Sequence, residues 1–476
     1  MGLLLAFNGL VPAHAVEPSA PSAAAPVATP LPAAAPSADV SDEPPAPPAA
    51  EPELLEQSLA TARAAFQRGD LTQALQLYSA MILRDPGFAE GALWYGRGLV
   101  YAARGQWDAA LADYNQALSY NPGNGLFYYD RALLWLAQNA PDAALQDFAQ
   151  ALKLAPGHFR GTESFYYHRG LAYLARKQLQ PAQADFEQAL LQDPSAWRNW
   201  LQLARLHRQA GRLEQALDAL ASARRLRPDA AEIYRQRAEI RARQNDLEAA
   251  LADLTRALLL APDEASLYAE RGHLHLRAQQ LQPAEDDYQR YLAAFPEDFR
   301  VRADLGLVYY QQGDYAQALE QYDQVLKLAP DFVSAYYNRA LVQTRLQQIT
   351  AALDDYTAVL QRQPKHLQAL NNRGWLYAQQ QQFDRALADY NAALRLEPDY
   401  VLTLSNRGAL YLERGQRALA ARDLRRVLQL LPNDPEAQAL MGRYYQLEGR
   451  CAEARTAWQR ACDAGLITAC QQTCAP

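Results

Sequence analysis

Residues 299–330 read FRVRADLGLVYYQQGDYAQALEQYDQVLKLAP, with Gly306, Ala318, Tyr322 and the closing Pro330 as its fixed marks. The alanine recurs at Ala74, Ala110, Ala144, Ala182, Ala216, Ala250, Ala284, Ala318, Ala352, Ala386, Ala420 and Ala454, in steps of 36, 34 and 38 and then 34 throughout. Twelve residues before each alanine stands glycine or alanine, from Ala62 and Gly98 to Gly408 and Gly442. Four residues after it stands a bulky side chain, from Tyr78 and Tyr114 to Leu424 and Trp458. Two helices approach closely only where a side chain is missing, and a large residue one turn along the second helix fills the space beside the gap. A period of 34 carrying that rule predicts a stack of helix-turn-helix units.

Proline closes eleven of the twelve units, from Pro86 to Pro432, and Leu466 takes its place in the last. Proline cannot continue a helix but can open the next turn. These marks resemble the tetratricopeptide repeat family over roughly residues 53–470. The resemblance implies an all-α, right-handed α-solenoid of about twelve units, assigned to residues 53–465, with a short cap over residues 466–476. It also implies a non-enzymatic scaffold that binds proteins or peptides in a concave groove lined by the first helices.

With the closing residue of each unit counted as position 32, the seventh and twenty-third residues change together. Arg97, Arg131, Arg169, Arg237, Arg271, Arg339, Arg373 and Arg407 go with Asp113, Asp147, Asp185, Asp253, Asp287, Asp355, Asp389 and Asp423. Units without the arginine also lack the aspartate, as with Leu203 and Ala219. A contact between the two helices of each unit, partly shielded by the stack, follows from this pairing.

The net charge of -7 argues against general nucleic-acid binding, and no apolar stretch approaches the length of a membrane span. Residues 1–15, with an apolar run at 3–11 and Ala13-His14-Ala15, look like a secretory signal or its remnant, although no basic residue precedes Arg63. Residues 16–52 are mostly alanine and proline, the composition of a disordered linker. All four cysteines, Cys451, Cys462, Cys470 and Cys474, fall in the last 26 residues. Such clustering suits a staple in an oxidising compartment, periplasmic or extracellular. Cys451 and Cys462 lie on one helix, roughly 16 Å apart, too far to bond. Cys462 and Cys470 flank the turn at 463–467 and are expected to pair; Cys451 to Cys474 is the second link to look for, a pairing the sequence leaves open. The segment ACDAGLITAC is also similar to cysteine-bearing Sel1-like units, in which such a pair bridges adjacent helices. The spacing lacks the short knuckles of zinc sites, so neither metal nor cofactor is expected.

No phosphate-binding loop, serine elbow or H-E-x-x-H motif occurs. By the family resemblance, positions 2, 5, 6, 9, 12 and 13 of each unit face the groove. In units two to four these include Tyr95, Tyr129 and Tyr167 with Leu99, Leu133 and Leu171, an apolar and aromatic floor unless the tyrosines pack between neighbouring helices. Asn338, Asn372 and Asn406, each the sixth residue of its unit, resemble the asparagine ladders with which some family members grip the backbone of extended polypeptides; Tyr337 and Trp375 flank them. The bland alternative is a local packing habit. Units five and six instead carry Arg198, Arg205, Arg208, Arg235 and Arg243, interrupted by Glu232 and Glu239. That patch is either a paired, solvated face or a seat for an anionic polymer or acidic segment.

Overall fold

The computed structural model describes residues 52–474, so the signal and linker readings lie outside the described residues, as do the two last residues of the cap. Among the described residues every regular element is helical. They fall into two compact units, one ending at Ala261 and one beginning at Pro262.

The first unit holds six antiparallel helix pairs, from Pro52–Gln67 with Leu71–Arg84 to Ala231–Arg243 with Leu247–Leu260. Its two long steps are local insertions. A 3-10 turn at Phe88–Gly91 precedes the second pair, and a one-turn helix at Pro156–Phe159 precedes the fourth, where Phe159 is buried against Phe165 and Tyr129. The second unit holds six further pairs, from Ala265–Arg277 with Leu281–Ala294 to Pro435–Leu447 with Cys451–Asp463, then a turn of helix at Ile467–Cys470.

Each pair turns at its fifteenth residue, which adopts a left-handed conformation: Gly69, Gly105, Gly211, Gly313, Gly415 and Gly449, but also Asn139, Lys177, Asn245, Gln279, Gln347 and Gln381. A left-handed residue ends a helix by satisfying its last carbonyls, and a side chain with a Cβ is strained there. Gln347→Gly is therefore expected to raise stability by about 0.5–1 kcal/mol, read as a higher midpoint in urea.

The packing rule of the sequence is met at every unit. All twelve periodic alanines have no exposed surface, and the bulky residues four further on are at most 4 % exposed. A Cβ on Gly98 would stand 2.7 Å from the Tyr114 ring, and one on Gly374 would stand 2.8 Å from Tyr390. The eight arginine-aspartate contacts are all present and two-pronged, as in Arg339, whose Nε and Nη2 each donate to Asp355 at 2.7 Å. The aspartates are buried and the arginines shielded. In several units the remaining nitrogen, Nη1, crosses to the second helix of the preceding unit, as from Arg97 to Ser79 at 3.4 Å. It donates to Asn115 from Arg131 at 2.6 Å, to Asp323 from Arg339 at 2.6 Å, to Thr357 from Arg373 at 3.0 Å and to Asn391 from Arg407 at 2.6 Å. One guanidinium thus joins three helices.

At the C-terminal end the sulfurs of Cys462 and Cys470 are 2.02 Å apart and those of Cys451 and Cys474 are 1.90 Å apart. Both bridges pin the last residues over the buried Trp458, whose indole N–H donates to the Ala439 carbonyl at 3.2 Å.

Candidate polypeptide-binding face

Along the first helices of units two to four, Tyr95, Tyr129 and Tyr167 are all half-buried, as are Leu99, Leu133 and Leu171. The tyrosines also pack between neighbouring helices. Tyr95 stacks on Phe127 at 4.5 Å, and Tyr129 lies among Phe148, Phe159 and Phe165. Their hydroxyls reach the sixth residue of the next unit: Tyr95 donates to Asp130, and Tyr129 meets His168 Nδ1 at 3.1 Å. Burial pushes the Tyr95 hydroxyl far up, the Asp130 carboxylate adding to it, and burial likewise raises the Asp130 carboxyl against the opposing pull of the Tyr95 bond. Burial lowers His168. The rings are therefore fixed in place, with part of their apolar surface still open.

The asparagines belong to the same system of rungs. Asn372 is fully buried, donates to the Tyr337 hydroxyl at 3.2 Å and to the Tyr356 hydroxyl at 3.3 Å, and accepts from Asn371 at 3.1 Å. Asn406 donates to Asn371 at 3.0 Å. Tyr337 and Trp375 are buried too, at 3 % and 7 % exposed. This corrects the expected three-rung ladder: the amide of Asn372 is spent on tyrosine hydroxyls of its own chain and offers nothing to an outside backbone, while Asn338 and Asn406 remain half-buried.

A pattern in the sequence reports this use. In the second compact unit Tyr288, Tyr322, Tyr356 and Tyr390 are each followed, at the sixth position of the next repeat, by the short polar residues Asp304, Asn338, Asn372 and Asn406. In the first, Tyr78 and Tyr114 are followed by Gly96 and Asp130, whereas Phe148, Phe186 and Leu220 are followed by the longer His168, Gln202 and Gln236. A hydroxyl on the ring leaves room only for a short partner, and a Cβ on Gly96 would already meet the Tyr78 oxygen at 2.7 Å.

The arginine patch of units five and six is mostly paired. Arg205 meets Glu232 at 3.1 Å, Arg235 meets it at 3.8 Å, Arg243 meets Glu239 at 3.1 Å, and Arg208 also pairs with Glu239. Arg198 is exposed and lies over the Trp197 ring at 5.1 Å. Burial lowers the Arg208 guanidinium, and the neighbouring Arg243 and Arg205 lower it further, so positive charge is crowded there. Among the described residues no group of three or more His, Cys, Asp or Glu is placed to hold a metal, and no helix is long and apolar enough to cross a membrane.

Tetratricopeptide repeat models match residues 95–159, 235–299 and 343–401, residues 163–195, residues 197–240 and residues 374–444, and a TPR repeat model matches residues 306–347. The chain belongs to the tetratricopeptide repeat family and is a protein-interaction scaffold, of a class that is generally non-enzymatic. No curated protein matches it. Among solved structures it is similar to a tetratricopeptide repeat protein from Parabacteroides merdae, at 21 % identity over 49 % of this chain and 93 % of the other, with a TM-score of 0.43. The Cut9–Hcn1 hetero-tetramer of the APC/C is similar at 15 % identity over 88 % and 96 %, TM-score 0.44. YrrB, described as a TPR protein with an unusual peptide-binding site, is similar at 22 % identity over 40 % and 97 %, TM-score 0.37.

Proposed function

We propose that the chain binds extended polypeptide segments along its first helices and thereby scaffolds an assembly outside the cytoplasm. The observation that supports this most is the half-buried stripe of Tyr95, Leu99, Tyr129, Leu133, Tyr167 and Leu171, in which two of the rings are held by hydrogen bonds to the next repeat. Apolar surface that is fixed before binding loses little side-chain entropy on contact. Simultaneous change of Leu99, Leu133 and Leu171 to aspartate tests it against any partner recovered from the native cell.

A second reading has its own support. Arg205 and Arg243 both stand close enough to Arg208 to lower its guanidinium further after burial has done so, and this crowding of positive charge suits an anionic chain. Charge reversal at Arg198, Arg205 and Arg208 is expected to leave binding of an apolar segment intact. Loss of binding, together with a steep fall of wild-type affinity with salt, would transfer the function to an anionic ligand.

The two cystine bridges support export, since such bonds persist in oxidising compartments. Thiol labelling of protein taken from its native compartment is expected to find no reactive cysteine. Four reactive thiols would remove both the staple and the export proposal.

A further inference from the structure

In the second compact unit hydrogen-bonded rungs join some successive first helices and are missing between others. Tyr337 bonds to Asn372 and Asn371 bonds to Asn406, so at these two steps the fifth residue of one repeat meets the sixth of the next. Two repeats earlier, within the helices Ala265–Arg277 and Phe299–Gln312, the fifth residues are Ala269 and Ala303, which carry no group that could reach across. Opposite Ala269 stands Asp304. Its carboxylate has turned to His273, whose Nε2 lies 2.7 Å away. The hydroxyl of Tyr288, the residue corresponding to the Tyr356 that bonds Asn372, is fully buried and has no hydrogen-bond partner. The His273 ring meets the Tyr288 ring edge-on at 5.4 Å.

The Asp304 and His273 side chains keep 32 % and 27 % of their surface, so this gap is reachable from solvent. Its one donor, His273 Nε2, serves a single oxygen of Asp304, and the Tyr288 hydroxyl has none. An ionised carboxylate only accepts, and in the first compact unit the hydroxyl of Tyr95 supplies the missing donor to Asp130. Burial raises the Tyr288 and Tyr322 hydroxyls, and the negative charge of the Asp304 carboxylate adds to it. A neutral donor would leave that charge uncompensated, and an anionic ligand would be repelled. An aliphatic stem would lie over the small side chains of Ala269 and Ala303 and the half-buried Leu307.

We propose that this interruption is a seat for a cationic hydrogen-bond donor, the ammonium or guanidinium of a lysine or arginine side chain in a polypeptide lying along the first helices. One N–H goes to the exposed side of Asp304, and a second reaches the covered Tyr288 hydroxyl once the His273 ring that lies against it turns aside. The proposal rests on the reading of the first-helix face as a polypeptide-binding surface, and it adds a preference for a basic residue at one point of the bound segment.

The test uses the full chain and short alanine-serine peptides carrying one central lysine, arginine, norleucine or glutamate. A charge-assisted bond to a half-buried carboxylate gives the lysine and arginine peptides an advantage of about tenfold or more over norleucine. The advantage should vanish in Asp304→Asn, which places asparagine where Asn338 and Asn372 already stand, and in Ala269→Tyr, which rebuilds the rung as Tyr95 forms it. Equal binding of the lysine and norleucine peptides by the unaltered chain would overturn the proposal, as would a preference that survives both substitutions. Should no peptide bind, the polypeptide reading of the face fails, and the seat is judged by n-butylammonium and propylguanidinium alone, followed through the ring signals of His273. A saturable shift that Ala269→Tyr abolishes keeps the seat as one for free amines, and no shift overturns it.

Discussion

Arg339→Leu is expected to destabilise the second compact unit by about 3 kcal/mol or more, among the largest effects of any single change to the stack. The guanidinium is held by Asp355 on its own second helix and by Asp323 of the preceding repeat. Asp355 is only 5 % exposed, so loss of the arginine strands a buried carboxylate that water cannot reach. Asp355→Leu strands the arginine less completely, because Asp323 remains. The double change removes both buried charges and places two leucines where Leu203 and Ala219 show that apolar residues are tolerated. Its cost should fall well short of the sum of the single changes, with a coupling of about 1–3 kcal/mol in a urea-denaturation cycle. Simple additivity would mean that the contact contributes nothing of its own.

The second large effect is on binding. Aspartate at Leu99, Leu133 and Leu171 puts three charges into the aliphatic part of the stripe. Each leucine contributes roughly 1 kcal/mol or more when its remaining surface is covered, so the triple variant should lose at least about a hundredfold in affinity for a segment lying across all three repeats. These side chains are half-buried and pack only at the edge of the clusters that hold Tyr114, Phe148 and Phe186, so helicity is to be measured beside affinity. Equal affinity with retained helicity would move the binding surface elsewhere.

Repeated spacing made the helix pairs, the close approach at Gly98 and Gly374, and the arginine-aspartate staples legible, because each needs two residue types at a fixed separation within one repeat. The third contact that several of these arginines make was less visible. Its acceptors, Asn115, Asp323, Thr357 and Asn391, share only the ability to accept a hydrogen bond and lie in the neighbouring repeat. The asparagines misled for a chemical reason. An amide that matches a peptide backbone matches a tyrosine hydroxyl as well, and sequence spacing does not say which lies nearer. The alternation of tyrosine with short polar residues, and of phenylalanine or leucine with longer ones, carried the answer. It had to be read between the second helix of one repeat and the first of the next. The expected pairing of Cys462 with Cys470 needed only the turn between their helices, and the structure has that pair, with Cys451 and Cys474 as the second.

The most direct measurement places a photoreactive benzoylphenylalanine at Leu133, on the first-helix face, and separately at Leu191, an exposed leucine on the second helix Leu179–Gln192. After irradiation in the native cell, a polypeptide bound along the first helices should be captured from position 133 and not from position 191. The Leu99→Asp and Leu171→Asp changes made together should erase that capture. Capture from position 191 alone, or capture from position 133 that ignores those two changes, would contradict binding along the first helices.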